Sequence, residues 1–160
     1  MQQTTVAPQR VVRVIEPTIA PTIQPVNAHS TQSITKRVAA YCRVSTKQDE
    51  QLNSYENQVE HYTERINSEN GWTLEGIYAD KGISGTSVKN RDEFNRMIRR
   101  CKQGKIDMII TKSIARFARN TVDCLKYVRL LNDLGVDVYF EEQGIHSNQP
   151  GAEFYITIYG

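Results

Sequence analysis

Ser45 is the first residue of this sequence whose surroundings could make it react. It stands in Tyr41-Cys42-Arg43-Val44-Ser45-Thr46, at the end of a short β-prone run. A serine hydroxyl is a weak nucleophile until something assists its deprotonation or stabilises the charge that forms. Residues two apart on a strand leave the same face, so Arg43 would stand beside Ser45. A guanidinium offers phosphate oxygens a planar fork of donors, and the chemistry this pair suggests is attack on phosphate. Arg-x-Ser alone is a weak signal, because serines of this kind commonly serve as turn or cap residues.

A second cluster is Lys112-Ser113-Ile114-Ala115-Arg116-Phe117-Ala118-Arg119-Asn120. Arg116 and Arg119 are three apart, so a helical turn would set them side by side. Adjacent guanidiniums repel unless an anion lies between them, and a phosphodiester in transit is such an anion. The plain alternative is a pair of solvated arginines at a helix end. Arg91 closes the loop Asp80–Asn90, whose glycines and serines show no periodicity. If the three segments leave neighbouring strand ends, their basic residues can converge on one phosphate.

Other chemistries find little support. His29, His61 and His146 lack metal-ligand spacing, and Cys42, Cys101 and Cys124 are too scattered for zinc or a disulfide framework. Buried neutral thiols are expected. Neither G-x-G-x-x-G nor G-x-x-x-x-G-K-[ST] follows Val44, which weighs against a nucleotide-binding α/β module. No metal and no cofactor is expected. No apolar run approaches a membrane span and no signal-peptide core is visible, so no membrane partner and a cytoplasmic location are expected. The net charge is +2, yet Lys89–Arg129 holds twelve basic against four acidic residues. That local excess of +8 suits a polyanion, although solvated helix faces would also explain it.

The elements that must position these residues alternate. Residues 1–35 hold four of the five prolines and few charges, and are read as an extended or disordered tail. Arg37–Val44 reads as a strand. Leu52, Tyr55, Val59, Tyr62 and Ile66 then mark one face of a helix closed by Asn70-Gly71. Trp72–Ala79 is a second strand interrupted by Gly76. Asn90 would cap a helix carrying Phe94, Met97, Ile98 and Cys101. Ile106–Thr111 is a third strand. Asn120 or Thr121 opens a helix with Val122, Leu125, Val128, Leu131 and Leu134 on one side, and Val136–Glu141 is a fourth strand. This order predicts an α/β domain, a mainly parallel central sheet flanked by helices, spanning residues 36–150. Residues 151–160 read as the opening of a further element, which we expect to continue. Working residues of such sheets sit beyond the carboxyl ends of strands, which selects loops 45–53, 80–90 and 112–120.

Taken in order, Tyr41–Thr46, Gln58, Asp80-Lys81-Gly82-Ile83-Ser84-Gly85-Thr86, Arg91 and Lys112–Asn120 resemble the serine site-specific recombinases of the resolvase/invertase family. The likeness is greatest to the large members, the integrases and transposases of mobile elements. It covers the chain from about Arg37 onward. The resemblance implies a serine that attacks a DNA phosphodiester, giving a 5′-phosphoserine link and a free 3′-hydroxyl, without metal or nucleotide. It implies homodimers that assemble to a tetramer on double-stranded DNA, cut, exchange and religate. It would make Ser45 the nucleophile, Arg43, Arg116 and Arg119 the phosphate ligands, Arg91 a further active-site arginine, and Gln58 and Asp80 supporting residues. Many small resolvases carry Asp where this sequence has Ala115, so one candidate acid/base is missing. The family's sheet is followed by a long helix leading to DNA-binding regions, which Glu153–Gly160 would begin. A catalytically inactive DNA-binding or regulatory relative is the nearest alternative, and a purely structural interaction domain would have no use for the basic block.

Overall fold

The alternating side chains of the first strand decide the architecture. The computed structural model describes residues 35–44, 48–81, 91–118 and 120–160, so the tail, Ser45, the loop 82–90 and Arg119 lie outside the described residues. In β1 (Lys36–Val44), Val38, Ala40 and Cys42 join one buried cluster while Ala39 and Tyr41 join another. A strand buried on both faces needs cover on both, which is the habit of parallel sheets. Helix α1 (Gln48–Asn67) covers one face with Tyr62 and Ile66. Helices α2 (Asp92–Lys102) and α4 (Thr121–Asp133) cover the other with Phe94, Met97, Ile98 and Cys101, and with Cys124, Val128 and Leu131.

The remaining strands are β2 (Trp72–Lys81), β3 (Met108–Thr111), β4 (Asp137–Phe140) and β5 (Ile145–His146), and the sheet order is β2-β1-β3-β4-β5. β1 pairs parallel with β2 and β3, β3 pairs parallel with β4, and β5 is antiparallel. The mainly parallel sheet predicted from the alternation is present. Helix α5 (Ala152–Tyr159) buries Ala152 and Ile156, and Arg129 of α4 grips its Glu153 through two hydrogen bonds of 2.8 and 2.6 Å.

One irregularity in β2 matters for everything beyond it. Val38 pairs with Leu74 but Ala39 pairs with Gly76, so Glu75 is an extra residue. Such a bulge reverses which face each later side chain takes. Trp72 and Leu74 pack toward α1 before it, and Ile77 and Ala79 do so after it. Tyr78 is thereby turned toward α2, with Asp80 two residues further along the same face. Glu75 pairs with Arg100 of α2. Gly76 therefore marks a bulge and does not interrupt the strand.

Other expectations are corrected. Asp80 lies within β2, one residue before its end, and is not part of a loop. Helix α1 ends at Asn67, so Asn70-Gly71 is no cap; Gly71, at φ 83°, instead makes the turn into β2. Residue Arg91, not Asn90, stands at the N-cap of α2. In α4 the inward stripe is Cys124, Val128 and Leu131, leaving Val122 76% and Leu134 41% exposed. Of the expected face, Val128 and Leu131 are buried and Leu125 packs against the core, so the spacing fails only at its two ends. Asn120 does cap α4, accepting from the Asp123 amide at 2.8 Å. The three thiols are buried, and burial pushes each up to about 12, so they are held neutral.

At the amino edge of the sheet, Asp107 accepts from the Arg37 backbone amide, Nε and Nη2 at 2.8, 2.9 and 2.7 Å. This hydrogen-bonded pairing holds the Asp107 carboxyl below its ordinary value. A depressed carboxylate contributes stability above its unfolded pKa and loses it as pH falls through the folded one. We predict that Asp107→Asn lowers the thermal midpoint at pH 7, and that the gap to wild type closes below about pH 4. A gap that stays constant from pH 7 to pH 3 would show that the charge contributes nothing.

Candidate active site

The sheet order creates the site. Starting from β1, the chain moves to one side through α1 and returns to the other through α2, whose helices lie on opposite faces. In open α/β sheets a crevice forms beyond the carboxyl ends of strands where the order reverses, here between β1 and β3. A cleft of about 50 Å³ lies there, lined by Tyr41, Cys42, Arg43, Gln58, Lys112 and Arg116. Three residues singled out in the sequence, Arg43, Gln58 and Arg116, thus come together. Arg43 Nη1 donates to the Ala115 carbonyl at 3.3 Å, joining β1 to the segment that carries Arg116. That segment is the single turn α3 (Ile114–Phe117), from which the Arg116 side chain is exposed. Ser45 follows β1 directly in the chain but lies outside the described residues, as does Arg119.

The pairing of Arg116 with Arg119 falls outside the described residues, because Arg119 does. The turn ends at Phe117, and Ala118 is extended, at φ −135° and ψ 160°. The chain must leave α3 there for Asn120, itself extended, to cap α4.

Asp80 and Arg91 lie behind the cleft, in the core. Asp80 is 6% exposed and accepts from the amides of Glu93 and Phe94, each at 3.0 Å, and from the Tyr41 hydroxyl at 3.1 Å. The first amides of a helix have no partner within it, and Arg91 at the N-cap provides none from its side chain. A carboxylate from another strand fills that place, favoured also by the helix dipole. Arg91 is 4% exposed, its guanidinium carbon 3.7 Å from the Phe94 ring centre and 5.2 Å from that of Tyr41. Its Nε donates to the Tyr41 hydroxyl at 3.2 Å and its Nη2 to the Phe117 carbonyl. Burial, foremost, holds the Tyr41 phenol protonated well above its ordinary range. Asp80, Tyr41 and Arg91 therefore form one chain that ends on the last residue of the turn bearing Arg116.

Residues 38–160 match the family described as "Resolvase, N terminal domain". The chain belongs to that family, the serine recombinase catalytic domains. A "Resolvase/recombinase" of Pseudomonas putida is 28% identical over 122 residues, which are 76% of this chain and 60% of that protein. The chain thus spans about 60% of the length of the curated relative it matches. Among solved structures, a resolvase family site-specific recombinase from Streptococcus pneumoniae is 31% identical, with a TM-score of 0.63 over 77% of this chain and 84% of that one. The N-terminal catalytic domain of TP901-1 integrase is 25% identical, with a TM-score of 0.54 over 77% and 90%.

Within this resolvase domain the basic block is not one surface. Arg96 pairs with Glu93 within α2, while Arg100, Lys112 and Arg129 pair with Glu75, Glu142 and Glu153 from other parts of the fold. Lys112 and Arg116 are its members that line the cleft. Two residues of the site were not singled out from sequence. Tyr41 could have been found from its place two residues before Arg43 on one strand face. Lys112 could have been found as the first residue beyond β3. We predict that Asp80→Ala costs roughly 2 kcal/mol in denaturant unfolding, since two helix amides lose their acceptor. Tyr41→Phe, which keeps the ring, should cost less. Equal and negligible losses would mean that the carboxylate does not cap α2.

Proposed function

We propose that the chain carries out site-specific DNA recombination by phosphoryl transfer to Ser45. In this reading residues 36–150 are the catalytic body, which 151–160 follow. The Ser45 Oγ attacks a DNA phosphorus and the bond to the 3′-oxygen breaks. The serine proton leaves, the 3′-oxygen takes up a proton, and the strand ends as a 5′-phosphoserine ester and a free 3′-hydroxyl. Religation is the reverse attack by a 3′-hydroxyl from the partner strand. One phosphodiester replaces another at each step, so the sequence needs no cofactor to conserve energy.

Arg43 and Arg116, joined by Arg119, stabilise the extra negative charge of the pentacoordinate phosphorus. Fixed donors aimed at charge that develops in the transition state act without reorganising. The observation that carries this reading is the meeting of Arg43 and Arg116 in one cleft at the β1/β3 crevice, with Arg43 two residues before Ser45 along the chain. Gln58 supports the same cleft, and Asp80 and Arg91 position it from behind. The partner is double-stranded DNA in the cytoplasm, bound by dimers that pair into a tetramer, in the integration, excision or transposition of a mobile element. The likeness to an integrase catalytic domain supports that setting.

A duplex bearing the recombination site, nicked so that religation fails, tests the chemistry. The protein should leave a DNA-linked band on a denaturing gel, and Ser45→Ala should leave none. An adduct formed by Ser45→Ala would remove Ser45 as nucleophile. Arg43→Ala and Arg116→Ala should each slow cleavage by roughly 10²–10³ while changing binding much less. Equal losses in both would mean that they only hold the backbone.

A further inference from the structure

We propose that Lys112 is a further phosphate ligand of the cleft, held on Glu142 in the absence of DNA and transferred from that carboxylate to the DNA backbone on binding. The inference rests on the reading that the cleft receives a DNA phosphodiester.

Lys112 directly follows Thr111, the last residue of β3, and so stands at the same carboxyl edge as Arg43. It lines the small cleft with Arg43 and Arg116. It also lines an adjoining groove with His61, Tyr62, Glu141 and Glu142. The side chain therefore sits on the border between a basic cleft and an acidic groove. Its Nζ is 3.6 Å from Glu142 Oε1, with the two side chains 63% and 49% exposed. At that distance and exposure the pair is an ion pair without a good hydrogen bond, and such pairs are weak and easily exchanged.

The acid does not depend on this contact for its place. The Glu142 amide donates to the Lys112 carbonyl at 2.8 Å and the Glu141 amide to the Thr111 carbonyl at 3.0 Å, prolonging the β3–β4 pairing past the strand ends. Glu142 is thus fixed beside Lys112 by backbone, whatever the lysine side chain does. Glu141 faces elsewhere, 3.8 Å from His61 and beside Tyr62 in the adjoining groove. Lysine suits the exchange, being a compact charge on a flexible stem, whereas the flanking arginines offer fixed forks. Three cations around one cleft repel one another, and a bound phosphate relieves that repulsion while Glu142 resists the transfer. Glu142 then sets the threshold for DNA binding at this edge.

The test measures the affinity of the protein for a short fluorescein-labelled duplex by anisotropy across a salt series, after circular dichroism confirms that each variant is folded. Lys112→Gln should weaken binding and flatten the plot of log affinity against log salt by about 0.9, the loss of one phosphate contact. Glu142→Gln should tighten binding roughly two- to fivefold, and that gain should vanish in the double variant Lys112→Gln/Glu142→Gln. An unchanged slope in Lys112→Gln, or a gain from Glu142→Gln that survives without the lysine, would overturn the exchange. Arg43→Ala, read by cleavage of the nicked duplex, separates the two readings. If Arg43→Ala slows cleavage and Lys112→Gln leaves both binding and slope unchanged, Lys112 alone is misassigned. If Arg43→Ala does not slow cleavage and Lys112→Gln does not change binding, the cleft is not the DNA site and both readings fall.

Discussion

A buried guanidinium holds this domain's working edge together. Arg91 lies against the rings of Phe94 and Tyr41, with one donor on the Tyr41 hydroxyl and another on the Phe117 carbonyl. A charge in the core is costly unless it is paired and hydrogen-bonded. Here the compensation reaches it through Tyr41, whose hydroxyl donates to the Asp80 carboxylate while accepting from Arg91. The consequence is geometric. Strands β1 and β2, helix α2 and the turn α3 are tied at one point, one residue from Arg116. Removing any link leaves a buried polar group without its partner, and the loss falls on the element that carries a cleft residue.

The position of that tie follows from a single extra residue. Without the bulge at Glu75, the later side chains of β2 would take the opposite faces and Asp80 would point toward α1. With it, Asp80 reaches the unpaired amides of α2 and the hydroxyl of Tyr41. The order β2-β1-β3 then does the rest, because helices leaving to opposite faces open a crevice beyond β1 and β3. Arg43 enters it from one strand and Lys112 and Arg116 from the segment after the other. Local packing and site chemistry are thus two readings of the same strand register.

Sequence patterns captured what is periodic. The strand at Arg37–Val44, the helix marked by Tyr62 and Ile66 and the parallel order were legible in this way, whereas Arg43 and Arg116 stood out by residue type and Gln58 through the family resemblance, and all three line the cleft. Features set by contacts distant in the chain were not. The two-residue strand β5 and the one-turn helix α3 are too short to show a period. The capping of α2 by Asp80 spans thirteen residues and depends on the bulge, to which Gly76 was the one local clue. The excess of basic residues overstated the cationic surface because spacing cannot reveal partners such as Glu75 and Glu153, which lie on other elements. Arg91 reads as a site residue from its place in the loop order, and burial against Phe94 and Tyr41 is what spacing could not show.

A structure of the Ser45→Ala protein bound to a duplex bearing its recombination site would test the central claim most directly. The account predicts guanidinium nitrogens of both Arg43 and Arg116 within hydrogen-bond reach, about 3 Å, of oxygens on the same phosphate, with Arg91 still on Phe117. A scissile phosphate seated away from the β1/β3 crevice, or held by one of these arginines without the other, would contradict it.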